Sequence, residues 1–176
     1  MTTATSIEDS LCCYCSMCCN GSLFSHAKLD DDERARLGDS IFYEDLKGSK
    51  NLQFPCTQLG KNGACQVYES RPAVCQAFRC ALLRAHDSEK VSLEEAKQLV
   101  DDAKEIKARA REAIDAAAAR LPKVVKEARI SRAMRALEHE HEAGDGDISN
   151  IAFKRAKTHF RLYRRFIRQY FSSKYH

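Results

Sequence analysis

No apolar run in this chain is long enough to cross a bilayer, because every helical candidate is interrupted by Lys, Arg, Asp or Glu within a few residues. The start, MTTATSIEDS, lacks both the basic residues and the apolar stretch of an export signal. These two absences lead to the expectation of a soluble, cytoplasmic protein in a reducing compartment, where a structural disulfide framework is disfavoured. Missing too are the phosphate-cradling GxxxxGK, the dinucleotide GxGxxG, the zinc-protease HExxH and the hydrolase GxSxG, so catalysis finds no support and no catalytic residue is assigned. Tryptophan is absent, and only three prolines and seven glycines punctuate 176 residues.

Cysteine is what the chain has in quantity. There are nine, five of them inside LCCYCSMCCN at 11–20. A disulfide knot, a metal site and a catalytic or redox thiol centre compete as explanations, and a reducing compartment works against the first. Cys12, Cys15, Cys18 and Cys19 spell C-x2-C-x2-C-C. A C-x2-C step lets two thiolates from one tight loop meet one metal or adjacent irons. One step is weak evidence, but two overlapping steps followed by Cys56, Cys65, Cys75 and Cys80 point to metal, for which thiolate is a soft ligand.

The stretch CCYCSMCCNGSLF, followed by PCTQLGKNGACQVYESRPAVCQAFRC with its distinctive YESRPAVC, resembles the small bacterial cysteine-cluster proteins named for CxxCxxCC and described as zinc- or iron-chelating. The resemblance spans residues 12–80 and implies eight metal-associated cysteines: Cys12, Cys15, Cys18, Cys19, Cys56, Cys65, Cys75 and Cys80. Cys13 is left over, and Gln76 stands where the family shows arginine. The implied cofactor is zinc or iron, the latter as an iron–sulfur cluster. The block is also similar to that of a larger relative, the flagellin lysine methylase, which adds a metal-dependent redox or protein-modifying enzyme as an alternative. A chain of this length is expected to lack the additional sequence such an enzyme needs.

Spacing constrains how eight sulfurs divide. Adjacent residues send their side chains in different directions, so Cys18 and Cys19 belong to two metals or to two edges of one cluster. Cys75 and Cys80 are five apart, about 140° around an ideal helix, so either a helix breaks between them or they serve different sites. Two tetrahedral zinc sites, one cubane cluster with spare ligands and a multinuclear site with bridging sulfurs remain open. The C-x2-C-x2-C portion favours a [4Fe–4S] cluster, and the total of eight favours paired zinc. A structural tetrathiolate zinc supplies on the order of 10 kcal/mol of folding free energy.

The expected fold is mainly α, an irregular cysteine-rich, metal-organised module at 1–88 packed on a helical bundle at 89–176, together one compact domain. The first part holds Gly21, Gly38, Gly48, Pro55, Gly60, Gly63 and Pro72 and reads as loops and short elements. LDDDERARLG predicts a helix capped by Asp30 and stopped by Gly38. KNG predicts a turn between two short strand-like pieces that brings Cys56 near Cys65, and a helix opening at Pro72 is expected to run through AVCQAFRCALLRA. SLEE at 92–95 fits a capping box. Beyond it Leu93, Ala96, Val100, Ala103, Ala110, Ala117 and Leu121 recur on one face, with Pro122 ending or kinking the helix. A further helix carries Ile130, Met134 and Leu137 and closes at GDGD, 144–147. The last helix, from Asp147 or Ser149, bears the stripe Phe153, Ala156, Phe160, Tyr163, Ile167 and Tyr170.

Charge is uneven. The net charge is +4, yet residues 148–176 carry eight Lys/Arg and no acid, leaving 21 bases against 25 acids elsewhere. The bland reading is a solvated basic face on a packed helix. The sharp one is an acidic partner or nucleic acid met by Arg161, Arg164, Arg165 and Arg168, with zinc purely structural. Glu69 and Arg71, between ligands in YESRP, read either as a shell around the metal, with Arg71 donating to thiolate sulfur, or as an ion pair fixing the loop. His139 and His141, two apart, face different ways and read as a solvated helix end. His26 and His86 are candidates to replace a thiolate, and Cys13 is a spare or a reactive thiol.

Overall fold

The computed structural model describes residues 10–37, 42–44, 50–119, 129–144 and 148–172. In chain order these form α1 (Leu11–Cys15), β1 (His26–Lys28), α2 (Asp31–Leu37), β2 (Phe42–Glu44), β3 (Lys50–Gln53), α3 (Ala73–Ala77), α4 (Ala81–Asp87), α5 (Leu93–Ala117), α6 (Ile130–Ala143) and α7 (Asn150–Tyr170). The fold is mainly α. It divides into two compact units, residues 1–97 with 173–176 and residues 98–172, and α5 begins in the first and continues in the second. No helix among the described residues is long and apolar enough to cross a membrane.

In the first unit, local capping sets the helix starts. Asp30 Oδ1 accepts the Glu33 N–H at 2.7 Å while the Glu33 carboxylate accepts the Asp30 N–H at 3.3 Å, so the expected cap is a reciprocal one. Gly38, Gly48, Leu121 and Pro122 lie outside the described residues. The Ser92 box forms as expected, with Ser92 Oγ accepting the Glu95 N–H at 3.2 Å and Glu95 Oε2 accepting the Ser92 N–H at 2.8 Å. The Ser92 N–H and the Ser92 hydroxyl both donate to the Glu95 carboxylate and hold it below its ordinary range.

The sheet is where sequence and structure part. The strand-like pieces expected on both sides of KNG reduce to β3 and an isolated Leu59–Cys65 bridge, the rest of that stretch being turns. β3 is instead the centre of a three-stranded antiparallel sheet, β1-β3-β2, with Ala27 opposite Leu52 on one side and Phe42 opposite Leu52 on the other. Three- and four-residue strands are too short to show a period in sequence. Leu52, Phe54 and Leu29 bury together beside this sheet, with Phe24, Ala27, Cys56 and Cys75 against them. The helix expected to run from Pro72 through Ala85 is two helices. Pro72 is the N-cap of α3 rather than its first helical residue, and an extended Phe78 ends α3 before Cys80 caps α4.

The second unit is built on the helical stripes. Val100, Ala103, Ala110 and Ile114 of α5, Ala133, Met134 and Leu137 of α6, and Ala156 of α7 are fully buried, with Tyr163 1% exposed. The stripe on α7 shifts slightly from expectation, since Phe160 and Tyr170 are half-buried and Phe171, just past the helix, is fully buried. α6 ends on Gly144 at φ 71°, a left-handed position that glycine takes without strain. Lys157 of α7 pairs with Glu138 of α6 at 3.4 Å. Met134→Ala should cost about 2–5 kcal/mol by opening a cavity in a packed interior. Ser92→Ala, which loses only a cap, should cost about 1 kcal/mol. Urea unfolding monitored by circular dichroism checks the contrast.

Candidate metal centre

Five cysteines lie on α1 and the loop that follows it. Leu11 and Cys13 turn inward and are buried, while Cys12 is exposed and Cys15 half-buried. Ser16 ends the helix in the left-handed region at φ 49°, an uncommon place for a residue with a Cβ, and the chain then wraps around Met17, which is 1% exposed. The Met17 carbonyl accepts both the Ser22 and the Leu23 N–H, at 3.1 and 3.2 Å. This tight loop presents Cys18 and Cys19 in succession.

The second cysteine-bearing stretch is tied to the first by one backbone hydrogen bond, from the Cys56 N–H to the Cys19 carbonyl at 2.7 Å. From Cys56 the chain enters the turn that KNG predicted. The Gly60 N–H reaches the Ala64 carbonyl at 2.8 Å, and Gly63 sits at φ 84° with its α-carbon face toward the Cys13 carbonyl. Leu59 bridges to Cys65, which returns Cys65 beside Cys56. Cys75 lies on α3, packed with Cys56 against the Leu52–Phe54 cluster. The Glu33 carboxylate accepts the Ala73 N–H and so fixes the start of that helix. Cys80 caps α4, its sulfur accepting the Leu83 N–H at 3.3 Å.

Electrostatics relate these thiols to one another. Burial pushes Cys18 up strongly, and its nearest thiol influences are Cys15 and Cys80. Burial raises Cys12 as well, with Cys80 adding to the effect. Cys19 is pushed up to about 12 by burial and then by Cys56, Cys65 and Cys75. Cys75 rises to about 11 by burial and then by Cys56 and Cys65. Cys56 is raised by burial and by Cys65, against a backbone N–H from Gln58. Cys80 rises by burial despite N–H groups from Leu83 and Leu82. The leading influences link Cys18 with Cys15 and Cys80, and Cys19 with Cys56, Cys65 and Cys75, while Cys18 also feels Cys19 and Cys12, and Cys19 also feels Cys12. The helix between Cys75 and Cys80 does break.

Arg71 acts on thiols of both cysteine-bearing stretches. Its charge lowers Cys12 on one side and Cys75 on the other, each time against a larger effect of burial. The guanidinium stacks on Tyr68 at 3.7 Å, and Nε is buried with no hydrogen-bond partner. The loop around it is held by Ser10 and Tyr68 hydroxyls at 3.1 Å, by Arg36 on the Ser70 carbonyl at 2.6 Å, and by Gln76 on the Arg71 carbonyl at 2.6 Å. Sequence reading missed Tyr68 as a platform, although its three-residue spacing from Arg71 is the available signal. Glu69 is exposed.

The other candidates stand elsewhere. His26 is exposed on β1 beside the Ser25 hydroxyl, and His86 Nδ1 meets the Val91 carbonyl at 3.1 Å at the end of α4. His139 is a solvated side chain as expected, but His141 is not. Its ring stacks on Phe153 at 3.8 Å and its Nε2 meets Asn150 Oδ1 at 2.9 Å, so it belongs to the α6–α7 packing. Arg161, Arg164, Arg165 and Arg168 are exposed on α7.

Among the described residues, no three Cys, His, Asp or Glu side chains already converge in ligating geometry. Protonated thiols have no reason to converge, since drawing four sulfurs to one point is what a cation does. The donors fit a soft metal: eight thiols, and an orphaned guanidinium N–H beside them that thiolate sulfur would satisfy. The family model described as "CxxCxxCC: Putative zinc- or iron-chelating domain" matches residues 11–112. No curated protein and no solved structure matches the chain.

In protein stripped of metal by a chelator, Cys19 and Cys75 should react with iodoacetamide more slowly than free cysteine at pH 8. Their raised pKa leaves little thiolate there, and the rate should climb as pH passes 9. Peptide mapping by mass spectrometry measures this, and free-cysteine rates at both positions would contradict the burial described.

Proposed function

Since the chain belongs to the CxxCxxCC family of zinc- or iron-chelating domains, we propose that it is a metal-binding protein with two four-sulfur centres. Cys12, Cys15, Cys18 and Cys80 hold one, and Cys19, Cys56, Cys65 and Cys75 hold the other. The reading is supported by the backbone tie from the Cys56 N–H to the Cys19 carbonyl and by the thiol influences, which come first from Cys15 and Cys80 on Cys18 and from Cys56, Cys65 and Cys75 on Cys19. Four thiolates in a closed set suit tetrahedral zinc with no open position, the arrangement of a site that organises structure or holds its ion firmly. Arg71 serves both centres as a neighbouring cation, and exposed Glu69 takes no part in ligation.

A second metal reading has its own support. In the first quartet a C-x2-C-x2-C run is completed by a remote fourth cysteine, Cys80, which is also how a [4Fe–4S] cluster is ligated. Zinc at both centres predicts colourless protein with two zinc per chain. A cluster at the first predicts brown protein with iron and acid-labile sulfide.

Elemental analysis and absorption spectra of protein purified without oxygen decide between them, and protein that takes up neither zinc nor iron would sink both. In zinc-loaded protein, Cys15→Ser or Cys80→Ser should each remove one ion, and the double variant should remove no more. Cys15→Ser combined with Cys65→Ser should remove both. Loss of both ions from a single substitution would contradict separate centres.

A further inference from the structure

Within the second unit, Ile106 and Arg109 of α5 and His159, Leu162, Arg165 and Phe166 of α7 line an open groove of about 370 Å³. Its lining is more apolar than polar. Leu162 is 54% exposed, and Ile106 and Phe166 are half-buried. Ile151, 81% exposed and three helical turns before Leu162, extends the apolar line along the same side of α7. An apolar strip recessed between two helices has the form of a groove that receives a third. On the α5 side the charges answer one another, Glu105 with Arg109, Asp101 with Lys104 and Asp115 with Arg111. On the α7 side they do not. That helix has no acid at all, and Arg165 has no partner among the described residues.

We propose that the α5–α7 groove docks an acidic, amphipathic helix of a partner protein. Two apolar side chains one turn apart cover Ile106, Leu162 and Phe166, and carboxylates beside them meet Arg165 and the other bases of α7. The inference does not depend on the metal reading. Charge complementarity selects the occupant. A second copy meeting this face with its own would set one acid-free helix against another, and the chain's own segment 120–128, RLPKVVKEA, has three bases to one acid. A nucleic acid would use the cations but leave the apolar strip without a counterpart, and a flat bilayer surface does not reach into a recess.

A display library of helix-constrained random peptides, selected on the full chain as purified, should enrich sequences with two apolar residues at i and i+4 flanked by Asp or Glu. One such peptide, labelled with fluorescein, is then the probe in anisotropy titrations. Leu162→Asp and Arg165→Glu should each weaken it at least about 10-fold, and added salt should weaken it on the unaltered chain. Lys154→Glu, a charge reversal on α7 outside the groove, should stay within about twofold. Leu162 and Arg165 are both exposed, so the variants should keep their fold, which circular dichroism verifies. No enrichment, enriched peptides lacking either the acids or the apolar pair, or equal losses in all three variants overturn the proposal. A poly(U) oligonucleotide or a phosphatidylserine vesicle that displaces the peptide and binds Leu162→Asp as well as the unaltered chain also overturns it. So does a dimer in sedimentation that Leu162→Asp dissociates, which would give the groove to a second copy.

Discussion

Thiols crowded into a partly buried space cannot all ionise unless a cation joins them. Each sulfur that loses its proton meets both the cost of burial and the charge of its neighbours, and in this chain the two effects act together on Cys18, Cys19 and Cys75. The surrounding structure follows from that constraint. Among the described residues the apolar cluster around Leu29, Leu52 and Phe54 is small, and a metal bound only in the folded state adds its binding free energy to folding.

The backbone does the preparatory work. The left-handed Ser16, the loop around Met17, the Cys56–Cys19 hydrogen bond and the turn at Gly63 are all main-chain devices, independent of side-chain charge. They bring two cysteine-bearing stretches, separated by the sheet in sequence, to the same place. The helices of the second unit obey a different logic, that of apolar stripes and buried alanine faces, and the basic surface of α7 lies on the side those stripes leave to solvent.

Long-period patterns were legible in the sequence because they repeat. Val100, Ala103 and Ala110 are buried as the three- and four-residue spacing requires, and the Ser92–Glu95 box needs only four residues to declare itself. The break between Cys75 and Cys80 is one of the two outcomes that their five-residue spacing allows. What the sequence concealed was either short or non-local. β1 and β2 have three residues each, too few for a period, and find β3 across intervening chain. The influence of Cys80 on Cys12 and Cys18 spans more than sixty residues, and nothing in the spacing of CQAFRC announces it. His141 looked solvated because its stacking partner, Phe153, lies on the next helix.

The sulfur of Cys80 has a second occupation, for it is the acceptor that starts α4 through the Leu83 N–H. Further along that helix Asp87 reaches back to clasp Arg79, the residue immediately before the cap. Chemistry at this one atom is therefore written into the mechanics of the chain. Oxidise it, and the first turn of α4 loses its anchor; hold it as thiolate, and the anchor strengthens, so the state of the sulfur is read out as the firmness of a helix end.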